Sequence, residues 1–196
     1  MDWGTDVSTG APARSRQQDS QDSQDSQDSQ DSQDSQEEKM KNDPIRRKGL
    51  RPRYWERFAL TDLSAPEWEA LCDGCGKCCL NKLEDGDTGE VFLTRVACRL
   101  LDDSSCHCGQ YDIRKQLVPE CITLTPTTLE KHMSWMPQTC AYRLLYQGDP
   151  LPEWHPLLTG DPESVHQAGV SMRGCTVPEF EIDEDDWEDH IIEEPI

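Results

Sequence analysis

One stretch of nine residues constrains this chain more than any other. It reads CDGCGKCCL from Cys72 onward and places four cysteines within eight positions, the last two adjacent. The two-residue spacing of Cys72 and Cys75 lets a tight turn bring both thiolates to one ion. Gly74 permits a positive φ in that turn, so that backbone amides can point at sulfur. Cys75 and Cys78 repeat the spacing around Gly76. The stretch therefore predicts chelation.

The pattern C-x2-C-x2-C occurs both in zinc knuckles and in iron–sulfur ferredoxins. The fourth ferredoxin cysteine, with its following proline, is missing, and Cys79 follows Cys78 directly. Neighbouring side chains point apart in extended backbone, so we expect these two cysteines to serve different ions or shells. Two four-thiolate sites would use eight cysteines, and a ninth would be a bridging sulfur, a replaceable ligand or a buried thiol. Five more cysteines lie before Tyr142, namely Cys98, Cys106, Cys108, Cys121 and Cys140.

The rest of the sequence favours metal ligands over disulfides. The N-terminus, MDWGTDVSTGAPARS, is acidic and has no apolar segment typical of a secretory signal. No stretch approaches the roughly 18 apolar residues of a membrane span. We therefore predict a cytoplasmic protein with no membrane partner, and clustered cysteines in a reducing cytoplasm indicate metal-binding or redox groups.

Charge separates the chain from nucleic-acid-binding proteins. The net charge is −20, and a chain of that sign repels nucleic acid and anionic membranes. The basic stretch KMKNDPIRRKGLRPR is the exception, and we interpret it as a solvated linker. The sequence thus predicts metal ions as partners.

Composition divides the chain into a tail and one domain. Residues 19–36 repeat the polar triplet DSQ, which has nothing to bury, so residues 1–44 are predicted to form a disordered low-complexity tail. Residues 45–196 are predicted to form the cysteine-cluster domain, with an acidic C-terminus and regular structure beginning near Tyr54. Apolar residues are only 34% of the chain, so its core is small and would gain from cross-links. We expect a small, irregular α+β domain stapled by metal, with short helices and few short strands.

Local signals place several elements around the cysteines. Ser64 with Glu67 forms a capping-box pattern, predicting a helix from about Ala65 that delivers Cys72 to the site. Thr139 is predicted to cap a helix that Gly148 ends. The pattern GDPESVHQAG predicts another helix, with Asp161 as its cap and Pro162 in its first position. The pattern GVSMRGCTV is interpreted as a strand containing Cys175.

Two histidines accompany the cysteines. His107 lies between Cys106 and Cys108 and is predicted to face solvent. His155, on the proline-fixed turn PEWHPLL, is interpreted as structural, and it would be the first histidine candidate if a ligand were missing.

The chain resembles a known family in long, specific motifs. They are LCDGCGKCCLNKLEDGDTGEVFLTRVACRLLD, CHCGQYDIRKQLVPECITLT, WMPQTCAYRLLYQG and LPEWHPLLTGDPESVH. These resemble the YcgN-type cysteine-cluster family of bacteria, related to the YkgJ-like zinc- or iron-chelating superfamily, over roughly residues 53–192. The family pattern also brings in Tyr111 and Arg114, whereas Cys175 lies outside it. The resemblance implies nine candidate metal ligands: Cys72, Cys75, Cys78, Cys79, Cys98, Cys106, Cys108, Cys121 and Cys140.

Three functions remain open from the sequence. The first is a zinc- or iron-chelating binding module, and the second is an iron–sulfur redox protein or oxidoreductase. The third is a protein-modifying enzyme, because the cysteine cluster is distantly similar to that of a flagellin lysine methylase. The chain contains no glycine-rich cofactor loop, no nucleophile–histidine motif and no P-loop. These absences favour the binding module.

Overall fold

A computed structural model describes residue 43 and residues 45–192 of the chain. The predicted disordered tail therefore lies almost entirely outside the described residues, and the domain boundary at residue 45 stays a prediction. The described part lies within one compact unit, Lys39–Ile196. None of its helices is long and apolar enough to cross a membrane.

The helices of the described residues are short, each three to seven residues long. The helix that precedes the cysteine stretch begins with the predicted capping box, in which Ser64 and Glu67 satisfy each other's backbone amides. The α-helices, in chain order, are α1 (Tyr54–Arg57), α2 (Ala65–Glu69), α3 (Arg114–Leu117), α4 (Ala141–Gln147), α5 (Pro156–Thr159) and α6 (Ser164–Gln167). The 3-10 helices are Leu60–Asp62, Lys77–Cys79, Tyr111–Ile113, Glu130–Trp135, Glu179–Glu181 and Glu184–His190.

Within residues 45–192, five short strands form two small sheets. In the first sheet the strand order is β1-β2-β5, with β1 and β2 antiparallel and β2 and β5 parallel. The second sheet is the antiparallel pair of β3 and β4. The mixture of short helices and few short strands confirms the predicted α+β class. The strands are β1 (Leu80–Glu84), β2 (Val91–Ala97), β3 (Leu101–Asp102), β4 (His107–Cys108) and β5 (Val177–Pro178).

The apolar side chains form two separate clusters rather than one core. Helices α2 and α4 hold the first cluster together, because the Tyr142 hydroxyl donates to the Trp68 carbonyl at 3.0 Å and the two rings lie 4.8 Å apart. The second cluster lies against the first sheet. Tyr54, Trp68, Ala70, Leu71, Leu129 and Tyr142 form the first cluster, and Leu80, Leu93, Ala97, Cys106 and Met172 form the second.

Three local predictions were wrong in detail. Helix α4 is capped by Cys140 rather than Thr139, because Cys140 has the extended backbone of a cap and its carbonyl accepts from Leu144. Helix α6 begins at Ser164, after a turn in which the Glu163 amide donates to the Asp161 carboxylate at 3.0 Å. The predicted strand around Cys175 is reduced to β5, since residues 169–176 form turns and bends.

Candidate metal centre

Two glycines shape the cysteine stretch that follows α2. Gly74 and Gly76 both have positive φ, 85° and 80°, as the sequence predicted for Gly74. The Cys75 amide donates to the buried Asp73 carboxylate at 3.0 Å, and the Cys79 amide donates to the Gly76 carbonyl at 3.0 Å. The stretch is thus two consecutive tight turns ending in a 3-10 turn.

Three cysteines of this stretch, Cys72, Cys75 and Cys78, are grouped here with Cys140. Cys72 and Cys140 both pack against the first apolar cluster, which is held together by the contact between α2 and α4. Burial raises the pKa of Cys72, Cys75 and Cys140, and the charges of Asp73 and of the neighbouring thiols raise it further. The neighbours acting on Cys72 include Cys78 and Cys140. We call Cys72, Cys75, Cys78 and Cys140 the first thiol group.

Three other cysteines lie on or beside the strands of the two sheets, and Cys121 lies in the loop that follows α3. The Cys98 amide donates to the Cys79 carbonyl at 2.9 Å, one residue beyond the pairing of Leu80 with Ala97. Cys108 lies on β4. In addition to hydrogen bonding at Cys79 and burial at Cys98, the charge of Cys108 raises the pKa of both Cys79 and Cys98, and the charge of Cys121 raises the pKa of Cys98. We call Cys79, Cys98, Cys108 and Cys121 the second thiol group.

The two groups meet at Cys78 and Cys79. Their sulfurs lie 4.0 Å apart, because both residues belong to a 3-10 turn and not to the extended backbone expected from the sequence. Their mutual hydrogen bond lowers the pKa of Cys78 and raises that of Cys79. The geometric reason given above for separating them is therefore wrong, although their other thiol neighbours still differ.

Backbone amides favour the thiolate form in both groups. Burial raises the pKa of Cys72, Cys75 and Cys98, and the amides of Gly74, Lys77 and Leu100, respectively, oppose that rise. At Cys140, the amides of Tyr142 and Arg143 do the same at the start of α4. Such donors stabilise thiolate rather than thiol, and thiolate is the form that binds metal.

The cysteine sulfurs have the right chemistry to bind a thiophilic metal, but they lie too far apart to hold an ion in this arrangement. Two groups of four sulfurs with amide donors match the ligands that zinc and iron take from cysteine-rich proteins. Within residues 43 and 45–192, however, no three Cys, His, Asp or Glu side chains lie close enough together to hold an ion. Side chains in either group must therefore converge for an ion to bind, while the backbone turns already exist.

Cys106 belongs to neither group as defined above, although its side chain packs against the cysteine stretch at Gly76. It is buried within the second apolar cluster, and this burial raises its pKa. The thiol whose charge raises that pKa further is Cys175, which is not a predicted ligand. Cys175 is exposed, on a segment that is tied to the turn before Cys106 because the Thr176 hydroxyl donates to the Asp103 carboxylate at 2.5 Å. Of the alternatives left open for a ninth cysteine, a buried thiol is the one that the position of Cys106 favours.

His107 does not face solvent as expected. Its Nδ1 donates to the Ser105 carbonyl at 2.6 Å, and its Nε2 is buried without a hydrogen-bond partner among the described residues. The ring lies against the cysteine stretch, since a Cβ added at Gly74 would be 3.1 Å from its Cε1. The tight turn before β4, with Cys106 at φ 58°, turns the ring inward, and no local sequence signal announces that turn.

His155 has the structural role that the sequence indicated. Its Nε2 donates to the Leu71 carbonyl at 2.9 Å and its Nδ1 accepts from the Leu157 amide at 3.1 Å, so neither nitrogen is free for a metal. Burial lowers its pKa, which keeps the ring neutral.

Tyr111 and Arg114 contact each other rather than a sulfur. The Tyr111 hydroxyl donates to the Glu69 carboxylate at 2.7 Å, and the Arg114 guanidinium lies 3.7 Å above the Tyr111 ring. Lys82, which sequence reasoning did not single out, lies closer to the thiols: its ammonium donates to the Cys78 carbonyl at 3.3 Å.

Comparison with known proteins identifies a family model that matches the cysteine region. Residues 71–141 match the family model CxxCxxCC, described as "Putative zinc- or iron-chelating domain". This range contains all nine predicted ligands and excludes Cys175. No solved structure matches the chain.

The relatives are similar over almost their whole lengths. A UPF0260 protein of Rhodobacter capsulatus is 63% identical over 145 residues, which are 74% of this chain and 97% of the relative. UPF0260 proteins of Marinobacter nauticus and Sinorhizobium medicae are 55% and 52% identical, over 71% and 73% of this chain and 93% and 92% of their own lengths. The chain therefore belongs to the UPF0260 family, and its residues 71–141 carry the cysteine pattern of the CxxCxxCC model.

Proposed function

We propose that this chain is a metal-binding module that holds two zinc or iron ions, one in each thiol group. The protein acts in the cytoplasm, and the bound ions both occupy the two thiol groups and stabilise the fold. The observation that carries the proposal is the placement of the four-cysteine stretch, in which Cys72 lies with Cys140 at the first apolar cluster and Cys79 is joined to Cys98 by the hydrogen bond from the Cys98 amide to the Cys79 carbonyl.

The binding step exchanges protons for metal. Burial raises the pKa of several of these thiols, so the metal-free groups hold their protons near neutral pH. A divalent ion displaces those protons, and binding is accordingly expected to weaken as the pH falls.

An iron–sulfur cluster in the first thiol group is the second candidate. The sequence lacks a fourth ferredoxin-type cysteine near C-x2-C-x2-C, but the fold brings Cys140 to the same apolar cluster as Cys72. Three closely spaced cysteines with one remote cysteine is the ligand arrangement of such clusters. The chain would then be a redox protein rather than a binding module.

One experiment separates these functions. The protein is purified without oxygen, and bound metal per chain is measured by elemental analysis together with the visible spectrum before and after dithionite. Two colourless zinc ions, or two ferrous ions without sulfide, support the module, whereas visible absorption that bleaches with acid-labile sulfide supports the cluster.

Cysteine variants test the assignment to groups. Cys75→Ser and Cys121→Ser should each lose one ion and keep the other, because they belong to different groups. Cys106→Ser is the matched control and should keep both ions. A single ion in wild type, or loss of both ions in each variant, would contradict two separate centres.

A further inference from the structure

Lys82 is held at the point where the two thiol groups meet. It lies on β1 directly after an irregularity in the pairing with β2, between Leu80 and Lys82. Such an irregularity changes the direction of a side chain, and here the Lys82 side chain folds back over the 3-10 turn of Cys78 and Cys79. The ammonium donates to the carbonyls of Leu80 at 2.7 Å, Cys78 at 3.3 Å and Lys77 at 3.5 Å.

The ionisable neighbours of this ammonium are cysteines, which become thiolates when they bind metal. Within the described residues Lys82 makes no ion pair with Asp or Glu, and the groups whose charges favour its protonated form are Cys78, Cys79 and Cys75. The Lys82 side chain is partly buried and its close partners are carbonyl oxygens, which do not neutralise its charge, so a nearby excess of negative charge would stabilise the ammonium.

Metal bound by thiolates supplies such an excess. Four thiolates around one divalent ion leave an excess of two negative charges, and two such centres side by side repel each other. The repulsion is strongest where the centres approach most closely, at the sulfurs of Cys78 and Cys79, 4.0 Å apart. A cation at that junction interacts favourably with both centres at once.

We propose that Lys82 is the counter-cation shared by the two metal centres, and that its charge is needed for both ions to bind together. The inference rests on the proposed function. Lys82 is a positioning residue: it binds no metal itself, fixes the carbonyls of the turn and offsets the charge of the thiolates on either side.

The test compares four variants by zinc competition with a chromophoric chelator. Lys82→Met keeps the apolar stem and removes the charge, Lys82→Gln keeps a hydrogen-bond donor without charge, and Lys82→Arg keeps the charge. Lys131→Met, at an exposed lysine of another element, is the matched control. Loss of an outer-shell partner lowers metal affinity by about 10- to 100-fold, and we expect that loss in Lys82→Met and Lys82→Gln only.

Cobalt substitution separates charge from ligand loss. The sulfur-to-cobalt charge-transfer intensity counts thiolates per ion, and it should stay at the wild-type level in Lys82→Met and Lys82→Gln while affinity falls. Wild-type affinity in Lys82→Gln, or a fall in Lys82→Arg as large as in Lys82→Met, overturns the role of the charge. If wild type holds two ions and all four variants match it, the Lys82 inference fails alone; if wild type holds none, the proposed function fails with it.

Discussion

Gly76 is the residue at which a single added carbon should disturb the cysteine stretch most. It has φ 80° and begins the 3-10 turn that carries Cys78 and Cys79. A Cβ at this position would lie 3.1 Å from the Cys106 Cβ and 3.4 Å from its sulfur. Cys106 is buried and has a positive φ itself, so it is poorly placed to move away.

The cost of Gly76→Ala has two parts that a second glycine separates. An alanine at left-handed φ costs roughly 1–2 kcal/mol, and this part is shared by Gly148→Ala, which has φ 85° at the end of α4 and open space around its Cα. Overpacking against Cys106 adds about 1–3 kcal/mol. We therefore expect Gly148→Ala to lower the free energy of unfolding by roughly 1–2 kcal/mol and Gly76→Ala by about 2–5 kcal/mol.

Urea unfolding followed by far-ultraviolet circular dichroism measures both variants, at one fixed concentration of free zinc. Bound zinc per chain is determined on the same samples, because Gly76 lies between ligands of both groups and its variant should also bind less metal. Equal destabilisation by the two substitutions would refute the close approach to Cys106. Equal destabilisation with full zinc content would also refute the dependence of the centres on this turn.

Two further predictions concern residues outside the thiol groups. Cys175→Ser should retain the full metal content and lower the free energy of unfolding by at most about 1 kcal/mol, because this thiol is exposed and lies outside both groups; loss of one ion on elemental analysis would make it a ligand. Hydrogen bonds from Arg51 and then from Ser64 hold the pKa of Glu67 well below its usual range, so its contribution to stability is present above the unfolded value of about 4.3 and is lost as the pH falls below it. Glu67→Gln should therefore flatten the dependence of the free energy of unfolding on pH between about pH 5 and pH 3, and Glu120→Gln is the exposed control. The free energy of unfolding is measured by urea unfolding at each pH, and an unchanged dependence on pH in Glu67→Gln would contradict this prediction.

Local chemistry predicted the features that depend on neighbours in sequence. The capping box of Ser64 and Glu67 and the positive φ of Gly74 arise from interactions over two or three residues. The helix end at Gly148 is of the same kind. For these positions the side chain alone restricts the backbone, and the structure agrees.

The partners of the cysteines depend on contacts that no local pattern contains. Cys140 reaches the first thiol group because Trp68 and Tyr142 pack together across more than seventy residues of sequence. Cys78 and Cys79 were expected to diverge because the turn started by Gly76 was read as extended chain. Lys82 could not be identified from the sequence, because the irregularity that turns its side chain toward the cysteines is a property of the β1–β2 pairing.

The position of the cysteine stretch between the two apolar clusters explains why metal would matter to the fold. Leu71 belongs to the first cluster and Leu80 to the second, and the eight residues between them are the two turns and the 3-10 turn that carry four thiols. Neither cluster alone is large, and a small apolar core supplies little stability. An ion in the first thiol group ties this connection to α4, and an ion in the second ties it to the β3–β4 pair. Two ions bound as proposed would therefore join two small cores into one cooperative unit.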